Sequence, residues 1–246
     1  MSEKKVIEAT AVTATTEPIE ALDRVKGFWD KFSKPIIYVG SAIILLIGGW
    51  YAYQEFVVTP NQQKASELIF PAENLFAKMA TGGFNKDSVN IALNGGELEG
   101  KKITGLLKII SQYGSTEAGN RAKYMVGASY LHINEFEKAI KYLSDFDGNG
   151  ASQIQNKAYI LLGHAYAEQK NTSEALSNYK KAASVNEKDE FFAADALLLA
   201  ASYAVSIGNN KEAISLYEEV KEKYPSNVAV QNGEVDKNLA KLGETK

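Results

Sequence analysis

The stretch GGELEGK at residues 95–101 has the spacing G-x-x-x-x-G-K of a phosphate-binding P-loop. Such a loop continues with Ser or Thr to bind magnesium, but the next residue here is Lys102. Glu97 and Glu99 would also place two negative charges against the phosphates. No alternation of strand and helix patterns surrounds the stretch. We therefore predict that it belongs to a flexible loop over residues 81–102 and binds no nucleotide.

The chain has no cysteine, so its two histidines, His132 and His164, are the next candidates for a metal ligand or a general base. A metal site or a general base built on them would need a third ligand or a nucleophile, and the sequence offers neither. The motifs G-x-S-x-G and H-E-x-x-H are absent. The sequence therefore predicts a protein that is not an enzyme, with no catalytic residue, no cofactor and no metal.

Composition excludes some further classes of function. The chain of 246 residues has a net charge of −3 and a pI near 5.6, whereas nucleic-acid-binding domains are typically strongly basic. Its hydrophobic content of 45% and charged content of 23% are those of a folded globular protein. We predict no nucleic-acid partner.

A repeat with a period of 36 or 37 residues predicts the fold of the larger part of the chain. Residues 156–189 follow the tetratricopeptide (TPR) pattern W-x2-L-G-x2-Y…A-x3-F, in which two antiparallel helices touch at small residues. The matching positions are Tyr159, Leu162, Gly163, Tyr166, Ala175 and Tyr179. Thr172 or Ser173 is placed to cap the second helix. Related segments are residues 120–153 and 193–226, a degenerate half-repeat at 103–119 and a capping helix at 228–242.

Stacked repeats of this kind create a concave surface lined by the first helix of each unit. The residues that intra-repeat packing does not use are Arg121, Tyr124 and Ala128, then Lys157, Ile160 and His164, then Leu197 and Ala201. We predict that they line a partner-binding groove for an apolar segment or a partner helix. The alternative is that the C-terminal helix simply covers the apolar end of this surface.

The segment 35–56 differs from the rest of the chain. From Pro35 to Gln54 it carries no charge, and this length matches the roughly 20 apolar residues that a membrane-spanning helix needs. The basic residues Arg24, Lys26, Lys31 and Lys34 precede it, and the first basic residue after it is Lys64. The positive-inside rule then predicts a single-pass protein with a cytoplasmic segment 1–34 and a TPR domain 57–246 on the other side of the membrane. In a bacterium this means an inner-membrane protein with a periplasmic TPR domain.

Aromatic residues flank the predicted span on both sides. Before it, apolar residues at helical spacing indicate a short amphipathic helix over residues 18–33 on the cytoplasmic membrane surface, with a polar linker as the alternative. Amphipathic aromatic rings prefer the membrane–water boundary. The predicted interface residues are Trp29, Phe32, Trp50, Tyr51 and Tyr53. Membrane lipid is therefore a predicted partner.

The whole arrangement, all-α with one transmembrane helix followed by a TPR-type α-solenoid, resembles a known family. The stretches EALDRVKGFWDKFSK and GGWYAYQEF, followed by the repeats, resemble the YfgM-type proteins, which are ancillary subunits of the SecYEG translocon. The long N-terminal segment and the loop at 81–102 depart from that family. The resemblance implies contact with SecYEG, with a membrane-anchored periplasmic chaperone or prolyl isomerase, and with nascent secreted proteins.

Two functions therefore stand after the sequence alone. The first is a non-enzymatic, membrane-tethered adaptor that binds protein partners or emerging clients beside the Sec translocon. The second is an oligomeric scaffold in envelope assembly or another secretion system. Co-purification with the translocon favours the first, and a stable homo-oligomer without it favours the second.

Overall fold

The computed structural model describes residues 17–243, with side chains from Arg24 onwards. Residues 1–16 of the predicted cytoplasmic segment 1–34 lie outside the described residues. Two compact units follow each other along the chain, the first up to Val58 and the second from Thr59.

The first unit is a single long helix. Helix α1 spans Glu17–Tyr53 and passes through Pro35 without ending, and one π-helical segment, Gln54–Val58, follows it. Residues 18–33, predicted as a short amphipathic helix, are helical, but they are continuous with the apolar segment and do not form a helix of their own. Proline lacks one backbone donor, but long apolar helices tolerate it where neighbouring groups satisfy the freed carbonyl.

The second unit is built almost entirely of helices. Its elements are α2 Thr59–Gly82, α3 Lys86–Asn94, β1 Gly95–Leu98, β2 Lys101–Thr104, α4 Leu106–Tyr113, α5 Glu117–His132, α6 Phe136–Ser144, α7 Ser152–Glu168, α8 Thr172–Ser184, α9 Glu190–Ser206, α10 Asn210–Lys223, α11 Val228–Gln231 and α12 Glu234–Lys241. Successive helices from α4 to α10 pack on each other, and α2 packs on α4 and α5.

The segment 81–102 is ordered, so the predicted flexible loop is wrong. Helix α3 begins after Asn85, whose side chain accepts a hydrogen bond of 2.9 Å from the Ser88 backbone N–H. Strands β1 and β2 then form an antiparallel hairpin whose two-residue turn, Glu99-Gly100, has positive φ at both positions. This is the backbone that tight hairpin turns require. Of the P-loop-like glycines, Gly100 thus lies in the turn, and Gly95 begins strand β1.

The repeats fold as the helix pairs α5–α6, α7–α8 and α9–α10. Gly163 on α7 lies against Tyr179 on α8, and a Cβ at this glycine would overlap the tyrosine ring. Gly127 on α5 faces Leu143 on α6 in the same way. The cap of α8 is Asn171, whose side chain accepts a hydrogen bond from the Glu174 N–H, so the prediction that Thr172 or Ser173 caps this helix is wrong.

The two ends of the repeat region differ from their predicted boundaries. Residues 103–119 do not form a half-repeat, because they are shared among β2, α4 and the start of α5. The predicted capping helix at 228–242 is interrupted at Gly233, where the backbone is left-handed with φ of 75°. It therefore forms the two short helices α11 and α12, and Val235 and Leu239 of α12 are buried.

Candidate partner-binding groove

A groove runs between helices α2, α5 and α7. It consists of two adjoining cavities of about 480 Å³ and about 440 Å³, which share Phe76 of α2 and Tyr124 of α5. We call this surface the α2–α5–α7 groove. Its main apolar lining residues are Phe76, Met79, Phe84, Tyr124, Met125, Ala128, Phe146, Ile154 and Leu161.

Helix α5 supplies the middle of the groove because its lining residues recur every three or four positions. Arg121, Tyr124 and Ala128 therefore lie on one face. The Tyr124 ring lies 6.4 Å from the Phe76 ring and 5.5 Å from the Phe146 ring, measured between centroids. Burial raises the pKa of the Tyr124 hydroxyl, which stays neutral. The groove thus has an aromatic centre, and the hydroxyl of its central tyrosine is uncharged.

The rim of the first cavity is polar and fixed by hydrogen bonds. The Arg121 Nε donates to Glu73 Oε1 at 2.8 Å, which joins α5 to α2 across the groove. The Asp147 backbone N–H donates to Asn120 Oδ1 at 3.1 Å. This bond and the reciprocal one from Asn120 Nδ2 to the Asp147 carbonyl hold the α6–α7 loop against α5. The rim is therefore preformed.

The second cavity ends at an imidazole. The His132 ring stacks on the Phe84 ring with centroids 3.8 Å apart and planes only 10° from parallel. Burial lowers the pKa of His132, so the ring is neutral at pH 7. His132 therefore closes the cavity as a flat, uncharged surface.

Whether a predicted groove residue lines the groove depends on the repeat to which it belongs. Arg121, Tyr124 and Ala128 of the first repeat line the α2–α5–α7 groove. In the second repeat, Lys157 is exposed, and Ile160 packs against the core formed by α8, α9 and α10. These two residues do not line either cavity.

His164 does not line the groove and instead contacts helix α8. Its Nδ1 lies 2.9 Å from the Tyr179 hydroxyl, within the α7–α8 contact. Burial lowers the pKa of His164, which the nearby Glu168 partly opposes, and burial raises the pKa of Tyr179. Both groups are therefore neutral at pH 7 and form a hydrogen bond between uncharged partners.

The third-repeat residues are not accessible. Leu197 is 4% exposed and Ala201 is 0% exposed, so the prediction that they line an open groove is wrong. Helix α9 is apolar on nearly all sides, and α8 and α10 cover it. Leu197 instead lies at the base of a depression of about 700 Å³ formed mainly by residues of α8 and the α10 region.

Sequence reasoning missed the wall contributed by α2 and its following segment. Phe76, Met79 and Phe84 form this wall, but they lie outside the repeat pattern. The signal was present in the sequence, because Ala65, Ile69 and Ala72 of α2 recur at helical spacing and are fully buried. Helix α2 packs on α5 and so adds one further helix to the surface that α5 forms.

Helix α1 provides the candidate membrane anchor. The helical run from Arg24 to Gly82 contains a stretch that is long and apolar enough to cross a membrane, and none of that stretch is buried. The predicted interface residues lie on it and are exposed by 38% to 65% of their surface: Trp29, Phe32, Trp50, Tyr51 and Tyr53. The Lys31 Nζ lies 5.3 Å from the centroid of the Phe32 ring.

Within the described residues, no three His, Cys, Asp or Glu side chains come together as a metal site. The two histidines belong to different cores, His132 beside Phe84 and His164 beside Tyr179. The groove therefore offers shape, apolar surface and a charged rim for binding.

Two tetratricopeptide-repeat family models match the chain, one over residues 157–189 and the other over residues 195–227. They confirm the TPR character of the α7–α8 and α9–α10 pairs, and with them the predicted all-α solenoid. The first predicted repeat, 120–153, is matched by neither model and stays a prediction. No curated protein matches the chain. TPR repeats indicate a protein that binds other proteins.

Proposed function

We propose that this protein is a membrane-tethered adaptor without enzymatic activity, which binds polypeptide partners in the α2–α5–α7 groove. The observation that carries the proposal is the groove itself, an aromatic-lined channel with a preformed rim on a TPR solenoid. Grooves between helices with apolar lining accept peptide segments, and the few polar groups at their rims set orientation.

The proposed site of work is the bacterial inner membrane beside the Sec translocon. This part of the proposal rests on the resemblance of residues 20–56 to the YfgM-type proteins and on the candidate span in α1. The partners would then be SecYEG, a membrane-anchored periplasmic chaperone or prolyl isomerase, and nascent secreted segments. A short tether raises the effective concentration of a neighbouring partner to roughly millimolar.

Site-specific photo-cross-linking in native membranes tests the proposal. A photo-reactive residue at Tyr124, in the centre of the groove, should trap translocon or chaperone subunits, which mass spectrometry of the adducts identifies. Glu218 on α10 is exposed and lies outside the groove, so the same residue there is the matched control. Leu197 and Ala201 are unsuitable positions because their side chains are buried.

Three outcomes of the experiment have distinct meanings. Adducts at Tyr124 and none at Glu218 support the groove. Adducts only at Glu218 contradict it, because binding then uses another face. Adducts made only of further copies of this chain at both positions favour the oligomeric scaffold over the adaptor.

A further inference from the structure

The first cavity of the α2–α5–α7 groove combines an apolar floor with an acidic rim. Its charged lining residues are Glu73, Glu117, Asp147 and Arg121. Arg121 is already paired with Glu73 at 2.8 Å, so the one guanidinium of the cavity neutralises one of the three carboxylates. Glu117 and Asp147 remain as the source of net negative charge.

Neither of these two carboxylates forms an ion pair in the part of the chain that the structure describes. The Asp147 Oδ1 accepts a hydrogen bond of 2.9 Å from the Asn149 backbone N–H, which orients the carboxylate without adding positive charge. Both side chains are exposed, so a ligand cation can reach them.

The second cavity does not compensate this charge. Its lining contains no lysine, arginine, aspartate or glutamate, and its histidine, His132, has a pKa lowered by burial. The groove as a whole therefore carries about two negative charges at pH 7 beside a continuous aromatic floor. A ligand with a free carboxylate would meet repulsion here, whereas a ligand cation would meet attraction.

We propose that the groove selects polypeptide segments in which bulky apolar side chains stand next to lysine or arginine. The apolar side chains occupy the floor around Phe76 and Tyr124, and the cationic side chain lies between Glu117 and Asp147. This inference rests on the proposed function and specifies the chemistry of the partner that the same groove binds.

Fluorescence anisotropy with short labelled peptides tests the selection on the full chain in detergent micelles. The probe peptide carries Leu-Phe-Leu-Lys-Lys between Gly-Ser ends and a neutral dye. One comparison peptide replaces the lysines with glutamates, and another replaces the Leu-Phe-Leu segment with Gly-Ser-Gly. We expect the probe to bind about ten-fold more tightly than either, and its affinity to fall as salt is raised to about 0.5 M.

A double variant measures how much the two carboxylates contribute to peptide binding. Glu117→Gln with Asp147→Asn keeps side-chain size, and an amide at position 147 still offers an oxygen to the Asn149 N–H. It should weaken probe binding about three- to ten-fold, the range for two exposed ion pairs, and leave the binding of the glutamate peptide unchanged or stronger. Glu174→Gln with Glu218→Gln removes two exposed carboxylates outside the groove and is the matched control.

The results separate this inference from the proposed function. Equal affinity for the lysine and glutamate peptides, or equal loss in the two double variants, overturns the charge selection. If cross-linking at Tyr124 still traps partners in membranes, the adaptor function stands without the selection. If no peptide binds and Tyr124 traps nothing, both fail. Binding to empty micelles is subtracted throughout.

Discussion

At the scale of single residues, glycine sets how closely the two helices of a pair approach. Gly163 leaves room for the Tyr179 ring, and Gly127 leaves room for the Leu143 side chain. A larger residue would push the helices apart along their contact, because packed interiors hold little free volume. The ring at position 179 in turn places its hydroxyl on His164.

The substitution Gly163→Ala should therefore destabilise the protein. The added methyl group overlaps a rigid aromatic ring, and overpacking of this kind costs about 1–3 kcal/mol of unfolding free energy. Urea denaturation followed by circular dichroism measures the loss. Gly82→Ala is the matched control, since nothing lies within 4 Å of a Cβ built at this helical position. An equal or smaller loss at position 163 than at position 82 would refute the close-contact explanation.

The structural roles of residues in the repeats could be predicted where close packing determines them. They were harder to predict where a local hydrogen bond determines them. The small-residue contact at Gly163 followed from the TPR pattern because only glycine fits beside a ring. The cap is Asn171 and not the predicted Thr172 or Ser173, since asparagine is as good a cap as serine or threonine and both types stand in the turn. The spacing of the repeat pattern alone does not decide which of these adjacent residues caps the helix.

At the scale of elements, one buried amide ties three helices together. Asn156 on α7 is 3% exposed, and its Nδ2 donates to the Ala182 carbonyl of α8 at 2.8 Å and to the Phe192 carbonyl of α9 at 3.4 Å. It therefore joins the end of one helix pair to the start of the next. The Asn156 amide stabilises this junction only while its Nδ2 can donate, because a buried carbonyl left without a donor costs free energy.

We predict that Asn156→Asp is strongly destabilising at neutral pH. The carboxylate has no donor for either carbonyl and carries a buried charge, at a cost of about 3 kcal/mol. This environment raises the folded-state pKa of the new Asp above its unfolded value near 3.9. Stability lost at pH 7 should thus be partly regained as pH falls towards about 4.5, because protonation restores a donor.

The midpoint of urea unfolding, measured at both pH values, tests this pH dependence. Asn90→Asp on α3 is the control: it is exposed, and its Oδ1 only accepts a bond from Asn94 Nδ2, which an Asp oxygen also does. A loss at position 156 that is the same at both pH values would argue against a buried carboxylate at the helix junction.

The elements also show why part of the groove was beyond sequence reasoning. The repeat period predicts helix pairs, and it placed α5 on the concave surface. It says nothing about α2, which lies outside the repeats yet supplies Phe76 and Met79. The β-hairpin was missed because its short strands contain glycine, lysine and glutamate, which have low strand propensity. The hairpin is stabilised by the turn Glu99-Gly100 and by the pairing of β1 with β2.

At the scale of the whole molecule, the apolar stretch of α1 separates basic residues from the TPR unit. Arg24, Lys26, Lys31 and Lys34 precede the stretch, and Lys64 is the first basic residue after it. Lysine and arginine resist translocation, so this asymmetry favours an N-terminus in the cytoplasm and a TPR unit on the far side of the membrane. The TPR unit would then lie in the space into which secreted chains emerge.

The absence of native cysteine makes this orientation directly measurable, because a single introduced thiol is the sole target of a maleimide. Lys26→Cys and Lys64→Cys place that thiol at exposed positions before and after the apolar stretch. In intact spheroplasts, a membrane-impermeant maleimide should label the thiol at position 64 and leave the one at position 26 unmodified until lysis. The reverse pattern would place the TPR unit in the cytoplasm and remove it from the proposed partners. Protection of both thiols before lysis would mean that the helix does not cross the membrane.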